Sequence, residues 1–159
     1  MSKDERASWN AGHESGYAGS YASNDDDNRV SAQKEHIMAN RAVLVPGPDH
    51  PISIEANPSR VMVTVGGNII ADTRDSLTLR EASYPPVQYI PRRDVDMAAL
   101  AQSEHMTYCP YKGEASHYSL PAGGERCLNA AWSYESPFEA VAEIKDYVAF
   151  YPQRVDEIR

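Results

Sequence analysis

Cys109 and Lys112 stand three residues apart in the run "TYCPYKGEASHY", with Pro110 opening a turn between them and Gly113 closing it. A thiol beside an ammonium group has its thiolate favoured, the form in which cysteine attacks an electrophile, so Cys109 is the candidate catalytic residue. His105 and His117 flank it four and eight positions away and are the nearby candidate bases. The same two histidines with Cys109 raise the question of a metal, but their spacing matches no strong zinc signature and a fourth ligand is missing, so no metal is expected. The plainer role for Cys109 is that of a small core residue. Lys112, at the tip of the turn, is either a solvated charge or a point charge for an anion, helped by the N–H groups of the turn.

Glu81 ends the alternating stretch "SLTLRE" beside "SYPP". Facing a cleft near Lys112, it would complete a polar anchor; facing water, it would only cap a strand. Tyrosines and a tryptophan surround these residues in sequence, and such side chains form either a core with wet polar tips or the apolar walls of a pocket. The candidate ligand-binding set is therefore Glu81, Tyr84, Tyr89, Tyr108, Lys112, Tyr118, Trp132 and Tyr134. Its expected partner is a small molecule, an anionic one included, and no cofactor is implied. "GG" at 66 and 67 is a turn signal and not a phosphate loop, because no helix follows it.

Composition narrows the classes of partner. A chain of 159 residues is long enough for one domain with a core of its own. With 23 acidic against 15 basic residues and a net charge of -8, it repels phosphate backbones and anionic membranes, and Arg92-Arg93 is its densest basic pair. No nucleic acid or membrane partner is expected. No run approaches the roughly 18 apolar residues of a membrane span. The opening residues lack the apolar stretch of a secretory signal, so a soluble, cytoplasmic protein is expected. Two cysteines are too few for a disulfide framework or a four-thiolate zinc site. Self-association is left open.

The elements that must position these side chains begin near residue 50. Residues 1–45 are rich in Gly, Ser, Asn and Asp, include "SNDDDN", and have too little apolar area to offset the entropy of ordering, which predicts a disordered or loosely attached acidic tail. Trp9, Tyr17 and Tyr21 are its isolated aromatics. A single β domain is predicted over 50–159. "ISIEA", "RVMVTV", "IIADT" and "SLTLRE" read as strands by their alternation, and the prolines of "YPPVQYIP" confine that run to an edge strand. "RRDVDMAALAQ" fits a short helix capped by Asp94, and "EHMTYC" another strand. A turn at "AGGE" leads into "RCLNAAWSY", so Tyr118 and Trp132 come from successive strands whose register is open. Ser136, Pro137 and Glu139 form a helix start, and Val141, Ile144, Val148 and Tyr151 recur at helical spacing until Pro152, which predicts a C-terminal helix. The class is mainly β (α+β).

Four ordered motifs, "YPPVQYIPRRDV", "TYCPYKGEASHY", "NAAWSYESP" and "YVAFYP", resemble the domain of unknown function 427 family over about residues 58 to 155. The resemblance implies a Mss4-like β-tent, two antiparallel sheets meeting at one edge, similar to methionine sulfoxide reductase B and the ligand-binding domain of cereblon. Those relatives commonly hold a four-cysteine zinc site, which Cys109 and Cys127 are too few to supply. The family has no established activity. His117 stands where an aromatic is more common, and "EAS" precedes "YPP" where threonine-glycine is frequent. Three functions follow as expectations: a small-molecule-binding domain, a thiol-dependent enzyme using Cys109 by analogy of fold, and an interaction scaffold working through its tail.

Overall fold

Alternating burial builds the first strands of the computed structural model, which describes residues 41–159. The acidic tail, apart from its last few residues, lies outside the described residues. Ala42–Arg159 clusters as one unit. In β2 (Val61–Val65) the three valines are buried while Met62 and Thr64 are half-buried, the two-residue period of a pleated strand. Gly66 and Gly67, both at positive φ, join β2 to β3 (Asn68–Thr73) by the tight turn whose twist suits a hairpin. β1 (Ile52–Asn57) pairs along its whole length with β4 (Ser76–Glu81), and β5 (Val87–Tyr89) adds to the far side of β4. Pro85 and Pro86, which lack N–H donors, keep β5 short and at the edge.

Among the described residues the sheets number three, not two, all antiparallel: β1-β4-β5; β2 and β3 with β10 (Glu157–Ile158) in the order β10-β2-β3; and β6 (Ala101–Cys109), β7 (Gly113–Ser119), β8 (Ala131–Ser133) and β9 (Val148–Phe150) in the order β6-β7-β8-β9. β10 pairs with β2 on the edge away from β3, with Ile158 opposite Val63. β10 is two residues long, too short to show a period. A backbone bridge joins the first and third sheets. Ile90 and Val148 exchange both backbone hydrogen bonds at 2.8 Å, so the end of β5 is stitched to β9 (Val148–Phe150).

Both predicted helices are corrected. Arg92–Gln102 forms two 3-10 turns, Arg92–Asp94 and Met97–Ala99, and Ala101 already begins β6 (Ala101–Cys109). Asp94 does not cap; its carboxylate accepts the Thr73 hydroxyl at 2.7 Å, and Asp96 N–H bonds to Ile70 O at 2.8 Å. Pairing with β3 thus takes backbone donors that a helix would need, and tertiary contact overrides propensity. The C-terminal helix is only the 3-10 stretch Glu139–Ile144, broken at Val141 and without a side-chain cap. Asp146 then takes a φ of 62°, its N–H held by Tyr134 O at 3.0 Å, and the chain enters β9. Val148, Ala149 and Phe150 are all buried, with Trp132 opposite Ala149 in β8 (Ala131–Ser133). A β-branched and aromatic run covered on both faces is better placed in a sheet.

Among the described residues two apolar clusters result. Val63, Val65, Leu120 and Phe150 belong to the first, around β2 and β9. Leu79, Tyr89, Tyr134 and Ile144 belong to the second, with half-buried Trp132 packed against it between β4-β5 and β8-β9. No helix among the described residues is long and apolar enough to cross a membrane.

Candidate functional site

β6 and β7 (Gly113–Ser119) meet in a turn closed by Lys112 N–H on Cys109 O at 3.2 Å. The turn is held from both sides. Lys112 O accepts Phe138 N–H at 3.0 Å, and Pro110 O accepts Leu44 N–H at 2.9 Å. Gly113 has a φ of 108°, a backbone conformation that residues with a Cβ rarely adopt, and a Cβ there would stand 3.4 Å from Ser136 O, in van der Waals contact with that loop. Pinned this way, the turn sends Lys112 inward.

Its ammonium is paired with a carboxylate oxygen, Glu81 Oε2, from the end of β4. The two side chains are only 11% and 12% exposed. The other oxygen, Oε1, accepts Nε2–H of His50 at 2.9 Å. His50 in turn stacks flat on Tyr111, ring centres 3.9 Å apart. Burial alone would raise the Glu81 pKa, but the hydrogen bonds from Lys112 and His50 outweigh it and hold the carboxyl below its ordinary value. Glu81 is thus anionic at neutral pH.

Aromatic rings enclose the rest of this end. Lys112 Nζ lies 6.0 Å from the centre of the Tyr134 ring, a cation–π contact. Trp132 Nε1–H donates to Tyr89 Oη at 3.3 Å, with the rings edge to face, and Tyr151 packs on Trp132 at 4.3 Å. Burial pushes the Tyr89 and Tyr134 phenols far above the usual tyrosine value, so both keep their protons. These groups line a recess of about 160 Å³. It shares Glu81, Tyr84, Val87, Lys112, Trp132 and Tyr151 with a cleft of about 820 Å³ running on towards Phe150, Pro152 and Ile158. The cleft lies where β5 is stitched to β9, and its walls are mostly apolar.

Of the residues singled out by sequence, Glu81, Tyr84, Tyr89, Lys112, Trp132 and Tyr134 come together here, Tyr84 at the exposed mouth. Tyr108 and Tyr118 do not. Tyr108 points to the other side of the hairpin, donating to Ala42 O at 2.5 Å and packing on Phe138. The Tyr118 hydroxyl donates to Glu135 at 2.9 Å. Cys109 is half-buried against the second apolar cluster and lines neither cavity. Cys127 is buried, its thiol 3.0 Å from Arg154 O. His105 and His117 meet edge to face at 4.7 Å. Burial, then the nearby His105, lowers the His117 pKa. Among the described residues no three His, Cys, Asp or Glu side chains gather as metal ligands would.

His50 and Tyr151 are the residues that sequence reasoning missed. His50 sits in the polar run "GPDHP", where nothing local distinguishes it, and Tyr151 was assigned to the helix that is not formed.

A family model described as a domain of unknown function (DUF427) matches residues 53–159, a span that begins after His50. No curated protein matches the chain.

Proposed function

The chain belongs to the domain of unknown function 427 family, and on that premise we propose that it is a small-molecule-binding domain whose ligand lies in the cleft between β5 and β9. One observation supports this above the others: a buried Lys112–Glu81 ion pair stands at the end of an apolar, aromatic cleft of about 820 Å³. Taking two charges out of water costs several kcal/mol per ion, which packing alone gives no reason to incur. Sites for small ligands are of this kind, roughly 300–1,000 Å³ with apolar walls and a few fixed polar groups. The ion pair is neutral as a whole, so apolar burial and hydrogen bonds hold the ligand, and net attraction for an anion is not required.

In this reading the sheets β1-β4-β5 and β6-β7-β8-β9 are the two slopes of a Mss4-like β-tent and the Ile90–Val148 stitch is its ridge. The setting is the cytoplasm. The thiol-enzyme reading has less support, because Cys109 lines neither cavity and Lys112 is engaged by Glu81.

Native mass spectrometry of the full chain purified from cells tests the proposal. A bound small molecule is expected on the wild type and its loss on Lys112→Ala and Trp132→Ala. Unchanged occupancy in both variants would show that the ligand sits elsewhere.

A further inference from the structure

The hydrogen-bonding groups at the ion-pair end of the cleft are unequal in kind. Lys112 has three N–H bonds to give, and one goes to Glu81 Oε2. Among the described residues no second oxygen takes the others; the ammonium otherwise faces the Tyr134 ring. Tyr89 accepts from Trp132, so its own O–H remains to be donated into the recess. Tyr134 and Thr107 also line the recess, and their hydroxyls can donate or accept. Acceptors are scarcer. Among the described residues Glu81 is the one carboxylate lining the recess, and each of its oxygens already accepts from one donor, Lys112 on one and His50 on the other, which leaves a single acceptor site on each.

We infer that the ligand enters this recess with a hydrogen-bond acceptor, a carbonyl or carboxylate oxygen, carried on a flat apolar body. The inference rests on the binding reading above and adds the chemistry of the ligand's head. A carbonyl oxygen takes N–H from Lys112 and O–H from the tyrosines without displacing a bond already made. An ammonium head meets Lys112 as a like charge, and at Glu81 it must share each oxygen with a donor already bonded there. The recess, about 160 Å³, has room for such a head group, while the ring body lies in the larger cleft against Trp132 and Tyr151. His50 is a positioning residue in this scheme. It touches no ligand, but by bonding Oε1 it takes one of the two acceptor sites on the oxygen that a donor head would seek.

Three probes with the same ring and different heads decide the matter: acetophenone, benzoate and benzylamine, measured on the full chain by ligand-observed NMR. Acetophenone and benzoate are expected to bind at least about tenfold more tightly than benzylamine, the penalty for leaving a buried charged donor unmatched. Lys112→Met is expected to erase that preference. His50→Phe retains a ring on Tyr111 but cannot bond Glu81, and with Oε1 released, benzylamine is expected to gain affinity while acetophenone does not. Thermal unfolding of each variant separates lost selectivity from lost fold. Benzylamine equal to acetophenone on the wild type would overturn the acceptor-head inference and leave the cleft reading standing. Failure of all three probes to bind would overturn both.

Discussion

Trp132 lies directly across the β7–β8 ladder from His117, and Tyr118 lies across from Ala131. Opposed residues share a face, so Trp132 and Tyr118 point to opposite sides of the sheet. Trp132 is thereby delivered to the cleft and Tyr118 to the polar cluster of Arg92, Ser133 and Glu135. A slip of one residue would exchange them.

Tyr118→Phe is therefore expected to leave ligand occupancy unchanged. It removes a hydroxyl that donates to Glu135 at 2.9 Å and costs about 1 kcal/mol in urea denaturation. Loss of binding in this variant would place the ligand on the wrong face of β7.

Lys112→Met leaves Glu81 buried with His50 as its remaining partner. Breaking a buried pair from one side is strongly destabilising, about 3–5 kcal/mol, and the neighbouring cleft admits water that brings the expected cost towards the lower end. The double variant Lys112→Met/Glu81→Gln removes both charges and is expected to recover most of the loss. A double-mutant cycle by urea denaturation reads the coupling; additive losses would mean the two side chains do not interact in solution.

Much of the fold is legible in the sequence, and the failures share a cause. β2 announces itself by alternation because Val61, Val63 and Val65 are buried while Met62 and Thr64 are only half-buried, whereas β4 alternates in residue type but not in burial, with Ser76 and Leu79 its buried residues. β9 has no such contrast, since Val148, Ala149 and Phe150 are all buried, and its residues fall by coincidence at helical intervals. Glu81 and Lys112 could be named separately from local context. Their pairing spans 31 residues and depends on how two hairpins dock, which no local pattern encodes. His50 is the extreme case: a histidine in a polar loop becomes informative only when Tyr111 and Glu81 are beside it.

Two acid transitions are expected, from different groups. His117 has a folded pKa below its ordinary 6.5, because burial and then the His105 charge disfavour its cation. The unfolded chain therefore takes up the proton first as pH falls below about 6.5, so the neutral ring's stabilisation is present above that pH and is lost towards the folded value. Glu81 acts lower. Its folded pKa lies below the ordinary 4.5, so its contribution is full above 4.5 and disappears as pH falls through the folded value. Guanidinium denaturation from pH 8 to pH 3 should show the first slope flattened in His117→Gln and the second in Glu81→Gln. If both variants follow the wild-type curve, neither group is linked to folding.

The last test separates two glycines that both have positive φ. Gly66 has a φ of 58° in the β2–β3 turn, and a side chain there would meet nothing within 4 Å. Asparagine tolerates that left-handed region, so Gly66→Asn is expected to change stability by less than about 0.5 kcal/mol. Gly113 has a φ of 108°, outside the region that asparagine or alanine visits readily, and Ser136 O is close behind it. Gly113→Ala must either strain the backbone or move the turn away from Ser136–Phe138, at a cost of about 1–3 kcal/mol. Because Lys112 precedes Gly113 and its carbonyl is bonded to Phe138, moving the turn also moves the ammonium away from Glu81. Gly113→Ala is therefore expected to weaken binding of acetophenone as well as the fold, where Gly66→Asn weakens neither. Equal and mild effects at both glycines would mean that the tight turn does not hold Lys112 in the cleft.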